Sequence, residues 1–234
     1  MTTAAEHASA IELLRSQSLA SLVQQALERR ILAGDIQPGE KLNESDLAQE
    51  FSVSRGPVRE AFRSLEQAGL LRNEKNRGVF VRQVSLQEAD EIHEMRSGLD
   101  ELIGRLAAER ATAAEVEELR ALVREMKSAA AKKDINAYYP LNVRFHDRLA
   151  EVARNGTLLA AYRRLINELH LYRRQTLARG LDAFPASTRE HSAIVEAIAA
   201  RDPELAAQRL YQHVVGSRSR LHATLDEPAN KEQP

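Results

Sequence analysis

Residues Leu42 to Val81, LNESDLAQEFSVSRGPVREAFRSLEQAGLLRNEKNRGVFV, decide the fold. Asn43 stands before Glu44 and Asp46, a side-chain acceptor followed by carboxylates that suit the positive end of a helix dipole, which predicts a short helix over Glu44 to Phe51. Ser52-Val53-Ser54 then reads as a turn. Ser54 is expected to cap a further helix from Arg55 to about Ala68, with Val58, Ala61, Phe62 and Leu65 inward and Gly69 placed to end it. Leu70 to Glu74 and Val79 to Val84 read as two strands joined by Lys75-Asn76-Arg77-Gly78, whose Asn and Gly suit a hairpin tip. Helix, tight turn, helix and hairpin is the pattern of a winged helix-turn-helix.

Upstream, Leu19, Leu22, Val23, Ala26, Leu27 and Ile31 recur at helical spacing over Ser18 to Ala33, and Gly34 with Pro38-Gly39 stops that helix. Downstream the pattern is helical to the end. Ser85-Leu86-Gln87-Glu88 is a capping box opening a helix to about Arg110; Thr112 to Glu115 is a second, and Ser187 to Glu190 is expected to be a third. Pro203 suits the first turn of a last helix. The other helices are expected at about 114–131, 136–153, 157–179, 188–200 and 203–222. The fold class is therefore mainly α: a winged helix-turn-helix of three helices plus a hairpin wing over 18–84, then an all-α antiparallel bundle over 85–225. Residues 1–17 and 226–234 read as flexible tails.

Composition narrows the chemistry. The 234 residues are 43% hydrophobic with only 4% aromatic, which favours packed helices over a β-sandwich. Without cysteine, disulfides, thiolate metal sites and cysteine nucleophiles are excluded. No segment approaches the roughly 20 apolar residues that cross a bilayer, so a cytoplasmic location with no membrane partner is expected. The formal net charge of -1 conceals an uneven distribution. From Asp35 to Glu50 one cation faces five carboxylates, or -4; from Phe51 to Val84 seven cations face three carboxylates, or +4. The basic stretch coincides with the second helix of the motif and the wing, where DNA is read. Arg55 and Arg59, four residues apart, share a face outside the apolar stripe, where a guanidinium can pair with guanine or clamp a phosphate.

The quoted run resembles the N-terminal domain of GntR-type bacterial regulators, and with the helical remainder it resembles their FadR branch, whose C-terminal FCD domain binds effectors. The resemblance covers Ser18 to about Leu221. It implies a transcription regulator, and not an enzyme, acting as a homodimer on a pseudo-palindromic operator in double-stranded DNA. Repression is the commonest scheme it implies. Ser54, Arg55, Pro57, Arg59, Asn76, Arg77 and Gly78 are the implied DNA contacts. Gly56 departs from the small polar residue more usual there.

In the second region His146, His191 and His213 each fall on a predicted helix beside apolar positions. Converging, three neutral imidazoles can bind zinc, nickel or a similar divalent ion and leave open positions for an effector carboxylate or water. Taken singly, each also fits a satisfied core histidine. FCD domains similar to this one carry an acidic or amide residue four positions before a histidine and two later histidines, which Asn142, His146, His191 and His213 match in order. Asn142 in place of the commoner aspartate makes a weaker metal partner. Arg96 matches a family position that lines the effector pocket, where an arginine is expected to pair bidentately with a small organic acid. The alternatives are a structural or absent metal, or a three-histidine metalloenzyme. The last needs a general base aimed into the pocket, and Asp147 and Glu190, which adjoin the ligands on their helices, are expected to point elsewhere.

Overall fold

The computed structural model describes residues 18–176 and 184–226. The chain divides into two compact units. Among the described residues, the first comprises 18–84 together with Ile166–Arg174, and the second comprises Ser85–Leu165 with 175–176 and 184–226.

The first unit begins with α1, Leu19–Ala33, whose N-cap Ser18 accepts from the Ser21 amide and whose end is turned by Gly34 at φ 78°. A two-residue strand β1, Lys41–Leu42, follows. Helix α2, Glu44–Glu50, is capped by Asn43, which accepts from the Ser45 amide. Val53 N–H returns to the Ala48 carbonyl across a turn in which Ser52 takes φ 54°. Helix α3 is Arg55–Gln67. Ser54 holds the extended N-cap backbone but makes no side-chain cap hydrogen bond, contrary to expectation. Pro57 occupies the third helical position, so the amide that such a cap usually reaches does not exist.

The hairpin is β2, Leu71–Glu74, and β3, Gly78–Val81, and β1 adds on the far side to give the order β1-β3-β2, all antiparallel. Register places Leu71 opposite Val81 on the buried side, and Lys41, Phe80 and Arg72 in one rung of the opposite face. Val23, Leu27, Ile31, Val58, Phe62, Leu65, Leu71 and Val81 form this unit's core.

The second unit is helical: α4 Leu86–Arg110, α5 Ala113–Ala131, α6 Ile135–Val152, α7 Gly156–Thr176 (shared with the first unit), α8 Phe184–Ala199 and α9 Pro203–Asp226. Both reciprocal hydrogen bonds of the capping boxes are present at Ser85/Glu88 and Thr112/Glu115. The third expected box is not one. Helix α8 already includes Phe184 and Pro185, so Ser187 lies inside it rather than before it. Helix α9 also runs past 222, to Asp226. The expected helix end at 177–179 and the expected tails at 1–17 and 227–234 lie outside the described residues.

At the crossing of α4 and α9, Gly104 meets the Ala206 carbonyl so closely that an added Cβ would sit 2.6 Å from its oxygen. Around it Ile103, Ala107, Leu119, Met126, Phe145, Leu149, Ile194, Ile198 and Leu210 are buried. No described helix is long and apolar enough to cross a membrane.

Candidate functional site

In the first unit Ser54, Arg55 and Arg59 are exposed at the start of α3, with Pro57 half-buried between them. Asn76 and Arg77 are exposed at the hairpin tip, where Asn76 at φ 63° and Gly78 at φ 109° make the reversal. Arg59 is not a free guanidinium. Its Nη2 and Nε donate to the two oxygens of Glu44 at 2.7 and 3.2 Å, a bidentate pair joining the first residue of α2 to α3. Arg77 pairs with Glu74, which Arg72 also reaches at 3.0 Å. Lys41, Arg72 and Arg77 surround the Phe80 ring, 5.9, 5.9 and 5.6 Å from its centroid. Sequence reasoning missed Lys41 and Arg72 because their place beside Phe80 is a matter of strand register. It missed Glu44 as the Arg59 partner because two helices have to be set together to see it.

In the second unit His146 of α6, His191 of α8 and His213 of α9 are buried together. Their Nε2 atoms form a near-equilateral triangle with sides of 3.2, 3.3 and 3.2 Å. Hydrogen bonding among the rings does not account for it. His213 Nδ1 lies 2.7 Å from a Glu190 carboxylate oxygen, so Nδ1 carries the proton and Nε2 presents a lone pair to the triangle. Burial, with the nearby His213, Arg96 and Arg220, holds His191 well below the ordinary histidine range. Burial likewise lowers His213 to about 4, even against the Glu190 hydrogen bond. The three Nε2 atoms thus lie within reach of one point, and since His213 Nε2 carries no proton, at most two protons serve the three contacts.

A tetrahedral ion with bonds of about 2.0–2.1 Å to nitrogen spaces its donors about 3.3 Å apart, so these residues fit a divalent ion. Phe145 lies against His191, ring centroids 4.6 Å apart, and closes one side with apolar surface. Asn142 sits half-buried one turn before His146 on α6.

Glu190 turns to the outer nitrogen of His213 rather than into the triangle. Besides His213 it receives Arg220 at 2.8 and 2.9 Å. Burial pushes its carboxyl up, but the bonds from His213 and Arg220 outweigh that and bring it down to about 2. A carboxylate on the far nitrogen of a ligand histidine fixes the tautomer and raises ligand basicity. Asp147 does turn away, onto Arg163 at 2.6 and 2.7 Å. His222 of α9 pairs with Asp90 of α4 at 2.7 Å.

Arg96 is fully buried on α4, and its Nε donates to Asp100 at 2.8 Å. The chain therefore already supplies one carboxylate, and the expected bidentate capture of an acid through Nε is not available. Nη2 of Arg96 and the Tyr162 hydroxyl remain buried without a completed hydrogen bond, and the guanidinium lies 5.9 Å from the Tyr162 ring centroid.

Residues 19–81 match the gntR family of bacterial regulatory proteins, and residues 91–216 match the FCD domain. The chain belongs to the GntR family. A Paenarthrobacter nicotinovorans protein named "Probable D-xylose utilization operon transcriptional repressor" is 32% identical over 203 residues, 86% of this chain and 88% of that protein. The galactonate operon transcriptional repressor of Escherichia coli K12 is 28% identical over 219 residues, 83% of this chain and 93% of that one. The solved structure of E. coli McbR/YncC shares the fold, with a TM-score of 0.76 at 22% identity, over 90% of this chain and all of that one.

This GntR regulator is thus a DNA-binding transcription regulator with an FCD domain, of a family of regulators rather than enzymes.

Proposed function

We propose that this GntR regulator is a homodimeric, cytoplasmic repressor of the FadR branch. It grips a pseudo-palindromic operator through residues 18–84 and is controlled by a small organic acid bound, with a divalent ion such as zinc or nickel, within residues 85–225. The carrying observation is the triangle of buried Nε2 atoms, for which an ion is the natural occupant. An ion held there supplies a Lewis acid for an effector carboxylate. His146, His191 and His213 hold the ion, Glu190 orients His213, and Phe145 excludes water from one side. Arg96 offers Nη2 to the acid while Asp100 keeps Nε.

On the DNA side, Arg55, Arg59 and Arg77 supply positive charge at the helix start and the wing tip. Ser54 and Asn76 offer uncharged polar groups, while Pro57 and Gly78 shape the backbone presented to the duplex.

The test is metal analysis of the purified protein by mass spectrometry, paired with operator gel-shifts in the presence of a panel of organic acids, with and without chelator. Near-stoichiometric metal, and an acid that releases operator only from the metal-bound protein, are the expected results. Metal-free protein that still responds to acids would overturn the metal-dependent part. In the same assay Arg59→Ala should weaken operator binding at least tenfold with metal content unchanged; undiminished affinity would remove Arg59 from the interface.

A further inference from the structure

The charges acting on the three-histidine cluster pair off. Arg96 and Asp100 are both fully buried and bonded to each other, at 2.8 Å. Glu190 carries a bidentate Arg220. Arg220 reaches the cluster through Glu190, which holds His213 Nδ1 at 2.7 Å, and Arg96 lies close enough to act on both His191 and His213. The sum of the two pairs, Arg96/Asp100 and Glu190/Arg220, is zero. An imidazole that holds an ion does so through a lone pair and so brings no charge, and Asn142, one turn before His146, adds none where an aspartate would add one. A divalent ion in this cluster therefore brings two positive charges that these described side chains do not cancel. Uncompensated charge in a buried site is expensive, and the cheapest remedy is an anion bound with the ion.

The polar groups left over beside the cluster set where the rest of that anion goes. Arg96 Nη2 and Tyr162 Oη are buried against each other and interact, but neither completes a hydrogen bond of ordinary length to a described residue. An orphaned buried donor costs its full desolvation until an acceptor arrives. Both orphans belong to groups in mutual contact, the guanidinium lying 5.9 Å from the Tyr162 ring centroid, so one oxyanion can satisfy both. A carboxylate suits this pair, since it accepts from a guanidinium and a phenol together.

Resting on the reading of this site as the effector site, we propose that the effector of this regulator is a small dianionic acid. One acid group completes the coordination of the ion held by His146, His191 and His213, and the second is received by Arg96 Nη2 and Tyr162 Oη. Asn142 sets the preference: a neutral ligand there leaves two charges to cancel, and an aspartate would leave one.

The experiment titrates zinc-loaded, full-length protein by calorimetry with matched acids: acetate against malonate, propionate against succinate, butyrate against glutarate, and lactate against malate. Bound zinc is measured before and after, so that stripping of the ion is not read as binding. The best dianion is expected to bind about tenfold or more tightly than its monoanionic match. Asn142→Asp should shrink that ratio about tenfold while tightening zinc, and Tyr162→Phe should weaken the dianion and spare the monoanion. The wild-type ratio decides even if a variant does not fold. Equal affinity for the two classes in the wild type, or a ratio that Asn142→Asp leaves untouched, overturns the dianion proposal and leaves the effector site standing. Failure of every acid to bind zinc-loaded protein overturns the effector reading of the site itself, and this proposal with it.

Discussion

At the scale of single residues, the histidines were legible and their supports were not. Each of His146, His191 and His213 sits next to apolar positions of a helix, so helical period alone placed all three inside. Glu190 adjoins His191 in sequence, which suggests the wrong partner. Neighbouring residues point about 100° apart around a helix, and its carboxylate crosses to His213 on α9 instead. Glu190→Gln keeps size and polarity but loses the charge that orients His213, so zinc affinity should fall about 10- to 100-fold with the fold retained. Competition with a chromophoric chelator measures this, and unchanged affinity would reduce Glu190 to a partner of Arg220. Asp100 was likewise invisible as a site residue, although the spacing to Arg96 is the four-residue step that joins side chains along a helix. Asp100→Ala strands a buried guanidinium and should cost about 3–5 kcal/mol, read from the denaturant midpoint. A loss under about 1 kcal/mol would mean that water or another group had taken over the pairing.

Elements were legible wherever their ends are written in local chemistry. Ser85/Glu88 and Thr112/Glu115 name the starts of α4 and α5, because a side chain and an amide three residues away satisfy each other without help from the rest of the fold. The same pattern misled at Ser187, where a helix already begun at Phe184 satisfies those amides with its own carbonyls. Strand β1 escaped notice since two residues carry no periodicity, and Lys41 and Leu42 become a strand only by pairing with β3. Gly104 gave no signal either. A glycine inside a helix usually weakens it, and only the approach of α9 explains this one. Gly104→Ala would drive a methyl onto the Ala206 carbonyl, forcing α4 and α9 apart at an expected cost of about 1–3 kcal/mol. Gly98, on the same helix with open space around its Cβ position, is the control: Gly98→Ala should be neutral or stabilising by up to about 1 kcal/mol. If the two substitutions had equal effects on the unfolding midpoint, the tight crossing would not be real.

For the molecule as a whole, the sequence announced a reader of DNA followed by an all-helical domain, through the switch from a hairpin to unbroken helical period at Ser85. That Ile166–Arg174 belongs with the first unit was not legible, since α7 runs through it with no change of composition. If this regulator binds an acid as proposed, its two ligands are linked by thermodynamic reciprocity, whatever structural route joins them. If an acid bound with zinc lowers operator affinity by some factor, operator DNA must lower affinity for that acid by the same factor. Typical couplings of about 1–3 kcal/mol correspond to factors of about 5–150, within range of calorimetry on both sides. The prediction is made with one protein preparation and two titrations: operator into protein with and without saturating acid, and acid into protein with and without saturating operator. The two ratios should agree within error. Non-operator DNA should show no such coupling if it is held by phosphate contacts alone that do not require the operator-bound arrangement, and its affinity should fall steeply with salt. An acid that weakens operator binding while its own affinity ignores operator would mean that it acts outside this equilibrium, for example by withdrawing the metal. The zinc content measured after each titration separates that case from true coupling.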